Sequence, residues 1–266
     1  MKRISILTLA MMLLSLFAIS YSVADRVNAE DTNTYVVLNR SDAVITIDAN
    51  LGDWAMAENV LFMGEGAWEP LGGTWDGPAD LSAELKVIYD ANNLYFALLV
   101  MDDEYVAQGA AANHWENDGA QMAIDTTAGK IPAGWPNETT HLYNFSILGG
   151  WGKETGPFLG DAEIKMARDD SKKQTIFEWR MPVGIIAKAG TELKAGMEIA
   201  FAIITNDSDN NAPGQTGWIG WGNHTIVYGK NPEEMKTLVL SDKTISEPSA
   251  VSSDGKVIAT WGELKR

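Results

Sequence analysis

Residues 80–104 read "DLSAELKVIYDANNLYFALLVMDDE", and this stretch decides the fold. Two β-type runs, "AELKVIYD" (83–90) and "NLYFALLVMD" (93–102), flank Asp90, Asn92 and Asn93. Branched and aromatic side chains suit a pleated surface, whereas Asp and Asn bond their own backbone and favour turns. The stretch therefore predicts a tight β-hairpin. The same texture repeats outward in "TYVVLNR", "AVITID", "AQMAID" (120–125), "HLYNFSIL" (141–148), "AEIKMARD" (162–169), "TIFEWRMP" (175–182), "MEIAFAIITND" (197–207) and "KTLVLSD" (236–242). Gly, Asn, Asp and Pro clusters separate these runs. Ala200 to Thr205 is apolar on both faces, as a central strand requires. "MPVGIIAKAG" has room for one helical turn, and nothing longer and amphipathic appears. Short strands without intervening helices predict an all-β, two-sheet antiparallel β-sandwich of immunoglobulin or jelly-roll type.

The ends differ from this middle. Lys2 and Arg3 precede the apolar run Ile4 to Ser20, and small-x-small sites follow at Ser22-Val23-Ala24 and Val27-Asn28-Ala29. This pattern predicts a signal peptide over residues 1–29, cleaved after Ala24 or Ala29. The run is short for a spanning helix, so export as a secreted or periplasmic protein is expected. The sandwich is placed at 30–240, a polar linker at 241–256, and a short apolar tail, "VIATWGELKR", at 257–266. The formal net charge of −16 argues against nucleic acid and anionic membranes as partners. Cysteine is absent, which removes disulfides, thiol chemistry and Cys-type zinc sites.

No G-x-S-x-G elbow, H-E-x-x-H pair or Walker loop occurs, and His114, His141 and His224 lie far apart in sequence. A non-catalytic protein is expected. In "NDSDNNAPG" (206–214), Asp207, Asp209 and Asn211 alternate. Oxygen ligands at that spacing suit calcium, although Ala212 and Trp218 break the EF-hand template; an Asn/Asp-rich turn explains the segment equally well.

The tryptophans are the distinctive resource. Trp54 and Trp179 sit among apolar residues and are expected in the core. Trp68, Trp75, Trp115, Trp135, Trp151, Trp218 and Trp221 lie in Gly-, Pro- or Asn-rich segments. In "NHWENDGAQMAID" (113–125), Trp115 stands among polar neighbours just before a strand. An indole face suits the C–H face of a pyranose while nearby amides and carboxylates take its hydroxyls.

The order of segments resembles family 9 carbohydrate-binding modules. "ITIDANLGDWAMAE" (45–58) is similar to their I-D-G-x-x-x-x-W opening, with Ala49 in place of Gly. The 80–104 stretch, "WENDGAQMAID", "FEWRMPV" (177–183) and "NPEEMKTLVL" (231–240) resemble later signatures, so the likeness spans about residues 44–240. It implies a calcium-containing sandwich that grips a xylan- or cellulose-type chain end between two tryptophans and serves a partner glycoside hydrolase. By motif, Trp115 is the first wall, and Gln121 stands where the family has a sugar-binding Glu. Trp221 is the preferred second wall, with Trp218 and Tyr228 as alternatives. Two other readings stay open. One is a haem-binding domain of the same sandwich type, with Met101 or Met122 and His141 or His224 as ligands. The other is an adhesive domain whose tryptophan loops bind protein.

Overall fold

The computed structural model describes residues 26–107, 114–130, 140–147, 150–157, 160, 162–187, 190–209, 214–228 and 230–245. The expected signal sequence before Arg26, the tail beyond Ile245, Trp135 and Asn211 lie outside these residues.

Strands in chain order are β1 (Arg26–Asn28), β2 (Thr34–Asn39), β3 (Val60–Met63), β4 (Trp68–Pro70), β5 (Leu81–Tyr89), β6 (Asn93–Asp102) and β7 (Ala120–Asp125). They continue with β8 (His141–Ser146), β9 (Gly150–Thr155), β10 (Glu163–Asp169), β11 (Gln174–Pro182), β12 (Glu198–Asp207), β13 (Gly217–Trp221) and β14 (Lys236–Thr244). Single helical turns α1 (Val183–Ile186) and α2 (Asn223–Ile226) interrupt them. The expected hairpin is β5–β6, paired from Leu81↔Asp102 to Tyr89↔Leu94. Its turn forms because Oδ1 of Asp90 accepts the backbone N–H of Asn92 and Asn93, each at 2.9 Å.

One hydrogen-bonded path runs β10-β11-β6-β5-β2-β14-β12-β7-β8-β9. Along it β11 and β8 are far apart, yet Trp179 of β11 stacks on Phe145 of β8 with centroids 5.0 Å apart. Phe96 of β6 likewise meets Phe201 of β12 at 5.7 Å. The path must therefore fold over on itself into two facing layers, bending around the parallel β2–β14 pair. The all-β sandwich is thus present, but its layers share one continuous ladder, and β1–β3, β2–β5 and β2–β14 are parallel. Alternate residues, such as Leu85, Val87, Phe96, Leu98, Trp179, Phe201 and Ile203, fill the space between layers. Each ring pair adds about 0.5–1.5 kcal/mol beyond its area burial.

Both outer faces are covered too. Trp54, Ile47 and Ala57 cap Ile88, Tyr95 and Ala97 on the first layer. Ile226 and Met235 cap Ala200, Ala202, Ile204, Ala123 and Leu142 on the second. The first cap is pinned by Glu178, wholly buried on β11. Its carboxylate accepts the Trp54 indole N–H at 2.7 Å and the backbone N–H of Asp48 and Ala49 at 2.9 and 2.7 Å. These bonds explain why "AVITID", expected as a strand, has no ladder: side chains take its backbone donors instead, Asp53 taking that of Thr46.

The domain is wider than expected at both ends. Arg26–Asn28 pairs with Val60–Phe62, the Arg26 guanidinium lies 3.5 Å over the Phe62 ring, and Ala29 is buried. Strand β14 continues to Thr244, past the expected end at 240, because Thr244 still pairs with Asn39.

Two substitutions test the cap. Glu178→Gln sets an N–H2 either against the Trp54 indole N–H or against the two backbone N–H groups of Asp48 and Ala49, and should cost about 2–4 kcal/mol of stability. Ala49 has φ 62, a left-handed conformation that penalises a Cβ. Ala49→Gly should therefore gain up to about 1 kcal/mol, the relieved strain slightly exceeding the entropy cost of glycine. Denaturant melts of both variants check these values; an unchanged midpoint for Glu178→Gln contradicts the cap.

Candidate saccharide site

On the outer face of the second layer, antiparallel register aligns one cross-strand row. Ile204 of β12 faces Gln121 of β7, Gln121 faces Asn144 of β8, and Asn144 faces Gly152 of β9. Gly152 is required there: a Cβ would come within 2.8 Å of the His114 ring. Residues His114–Glu116 form a 3-10 turn at the edge of this row. His114 in this turn and Asn117 just after it are buried, while the Trp115 indole stays 41% exposed.

Asn206, one register step beyond Ile204, organises the turn. Its Nδ2 donates to the backbone oxygens of Trp115 and Asn117 at 3.2 and 3.3 Å. Its Oδ1 accepts from Nε2 of Gln121 at 2.9 Å and of Gln215 at 2.7 Å. Burial holds the His114 ring below its ordinary pKa; Nδ1 lies 3.3 Å from the Ser146 hydroxyl.

Above the row lies a cavity of about 440 Å³ lined by His114, Trp115, Gln121, Asn144, Gly152, Lys153, Glu154, Gln215, Ile226, Val227 and Lys230. This volume falls within the small-ligand range. Glu154 pairs with Lys230 and lies 3.5 Å from Nδ2 of Asn144. Desolvation lowers the Lys230 ammonium. Oδ1 of Asn144, on a residue only 5% exposed, has no hydrogen-bond partner among the described residues. An indole face, three side-chain amides and an ion pair thus converge on one space.

Trp115 and Gln121 share this cavity, whereas the expected second walls lie elsewhere. Trp221 is 1% exposed, packs on Phe201 and donates its N–H to the Thr32 carbonyl at 2.8 Å. Trp218 is 2% exposed in the outer cluster. Residues three apart on a strand face opposite sides, and both sides of β13 are covered, so each indole is buried. The glycines that suggested a loop permit close packing: a Cβ on Gly217 would fall 2.0 Å from Trp68. Tyr228 is exposed, but its ring covers Trp218 at 4.9 Å and its hydroxyl donates to the Pro70 carbonyl. Asn144, Glu154, Gln215 and Lys230 were not anticipated; the "HLYNFSIL" strand was visible in sequence, but its alignment with "AQMAID" was not.

The oxygen cluster also differs from expectation. Asp209 gathers with Asp80 and Asp103, their carboxylate oxygens all within 4.8 Å of one another. Asp207 instead accepts from the Thr216 hydroxyl at 3.2 Å. The Leu81↔Asp102 register of the hairpin delivers Asp80 and Asp103 side by side. Burial, then repulsion from Asp209, Asp80 and Asp102, pushes Asp207 up to about 7. Burial followed by Asp102 raises Asp118 in the same way. Three hard oxygen donors of one sign fit a calcium-type cation.

A larger cavity of about 550 Å³ between Glu30, Glu69, His224, Glu233 and Glu234 has no exposed indole among its described lining residues, since Trp221 in its wall is buried. His224 is held there by Glu69 and Glu234 at 3.2 and 3.3 Å. Met122, one of the methionines weighed as a haem ligand, lies wholly within the core.

The sequence profile described as "Carbohydrate family 9 binding domain-like" matches residues 67–243. A family 9 carbohydrate-binding module from Caldicellulosiruptor kristjanssonii, solved with glucose, is 16% identical with a TM-score of 0.62, covering 80% of this chain and 98% of its own. A structure of such a module from the same organism with cellotriose is 16% identical with a TM-score of 0.61, covering 84% and 100%. No curated protein matches the sequence. At that identity the structures speak for the fold alone, but the profile spans well over half of the chain, and the chain belongs to the carbohydrate family 9 binding domain-like family.

Proposed function

We propose that the chain is an exported, non-catalytic carbohydrate-binding protein that seats a sugar ring on Trp115. The observation carrying this reading is the exposed indole beside three converging amides in one cavity. The glucose and cellotriose complexes of the similar modules support a saccharide ligand of the cellulose type. Because Trp218 and Trp221 are buried, the described residues of the site form a single-indole platform in place of the expected two-indole clamp. Val227 and the Glu154–Lys230 pair complete its lining in place of a second indole. One stacking face with a few hydrogen bonds implies about 4–8 kcal/mol, or millimolar to micromolar Kd. Such a module would hold a partner glycoside hydrolase near its polysaccharide. The apolar run at Ile4–Ser20 supports export, and the pairing of Arg26–Asn28 with β3 favours cleavage after Ala24.

Asp80, Asp103 and Asp209 would hold a calcium ion, which would supply charge neutralisation to the end of β12 and the open end of the β5–β6 hairpin.

Trp115→Ala should cost roughly 1–3 kcal/mol of saccharide binding and leave the melting temperature nearly unchanged, since the indole is largely outside the core. Calorimetric titration with cellotriose and a thermal melt decide this; retained binding contradicts the platform. Calcium at about 100 times its Kd should add about 2.7 kcal/mol of stability. Chelation should reverse that gain, and Asp209→Ala should abolish it. A melting temperature indifferent to calcium would remove the cation from the account.

A further inference from the structure

The family resemblance places a glutamate at position 121, whereas this chain has Gln121. The surroundings of Asn206 supply a physical reason. The Asn206 side chain is 1% exposed. An amide offers two acceptor lone pairs and two N–H donors, and Asn206 uses all four. Oδ1 receives Gln121 and Gln215, and Nδ2 serves the carbonyls of Trp115 and Asn117. Its backbone N–H is also committed, to the Gly119 carbonyl at 2.9 Å. Rotating the amide by half a turn would set Nδ2 against two N–H groups and Oδ1 against two carbonyl oxygens. Its orientation is therefore locked.

We propose that Asn206 is the positioning residue that sets the hydrogen-bond polarity of this cavity, an assignment that rests on the saccharide-binding reading above. By taking Nε2 of both glutamines, Asn206 leaves each Oε1 for the cavity; neither makes another side-chain hydrogen bond among the described residues. Oδ1 of Asn144, which has no partner among the described residues, adds a third acceptor. The ligand is then read mainly through hydroxyl groups that donate, as vicinal hydroxyls of an unsubstituted sugar do. Ring hydroxyls blocked as methyl ethers lack that hydrogen. A carboxylate at 121 would put acceptor against acceptor at Asn206 Oδ1, so the amide is obligatory in this chain. The same residue couples the amides to the platform, because the bonds that orient Gln121 and Gln215 share one side chain with those that hold the Trp115 turn.

The test is titration of the folded protein with cellotriose, well below its melting range, for the unmodified chain, Gln121→Glu, Gln121→Met and Asn206→Asp. Melting temperatures are measured in parallel. Gln121→Glu should bind at least about tenfold more weakly, and more weakly than Gln121→Met, which removes the bond without adding repulsion. Asn206→Asp keeps the acceptor for both glutamines but loses the two donations to the Trp115 turn. It should bind more weakly and show greater acrylamide quenching of tryptophan fluorescence. A merely structural Asn206 would lower melting temperatures and leave the affinity of folded Gln121→Glu unchanged. Gln121→Glu binding as tightly as the unmodified chain, or more tightly than Gln121→Met, overturns the assignment; this comparison decides the matter even if Asn206→Asp fails to fold. Failure of the unmodified chain to bind glucose, cellotriose or any other saccharide overturns the functional reading, and this assignment with it.

Discussion

Strand β12 is buried on both faces from Ile199 to Asp207, and Ser208 beyond it is buried as well. That burial governs the end of the molecule where ligands would meet it. Up to Ile204 the strand is apolar and joins the inner core to the outer cluster. Thr205, Asn206, Asp207 and Ser208 then follow, all buried. Each buried polar group left without a partner costs about 1–3 kcal/mol; the surrounding loops come to Asn206 and Asp207, whereas the Thr205 and Ser208 hydroxyls have no partner among the described residues. Asn206 draws in the Trp115 turn, Gln121 and Gln215. Asp207 faces the Thr216 hydroxyl and the acidic cluster at the open end of the β5–β6 hairpin. The Trp115 turn with its amides and the oxygen cluster are thus neighbouring outcomes of one constraint.

The same constraint separates the roles of the tryptophans. Covered strand faces bury Trp179, Trp218 and Trp221, and the buried carboxylate of Glu178 holds Trp54. Trp115 escapes because its turn is held by bonds from the Asn206 side-chain amide to backbone carbonyls, leaving the indole 41% exposed. A side chain exempt from folding is free to meet a ligand at little cost to stability. The neighbouring amides are pre-oriented by buried bonds, which reduces the ordering cost that limits affinity in small sites.

Much of the fold was legible in sequence. The Asp90 turn and the apolar runs around it gave the hairpin, and "AQMAID" coincides with β7 residue for residue. Trp115 and Gln121 were legible because a motif marks them. The remainder depends on register and coverage, which local patterns do not carry. "GWIGW" looks like a loop because its glycines hide a strand packed on both faces. Asp80 and Asp103 look like strand ends until the hairpin register sets them beside Asp209. Asn144 becomes a site residue only because β8 pairs with β7 so that Asn144 stands opposite Gln121. Conversely, "AVITID" has the residues of a strand, but Glu178 and Asp53 side chains take donors that a ladder would need.

A crystal structure of the chain soaked with cellotriose tests the central claim most directly. A sugar ring should lie against the Trp115 indole, with hydroxyls within hydrogen-bond distance of Gln121, Asn144 and Gln215. Sugar density confined to the cavity between Glu69, His224 and Glu234, or stacked on Tyr228 away from Trp115, would contradict it.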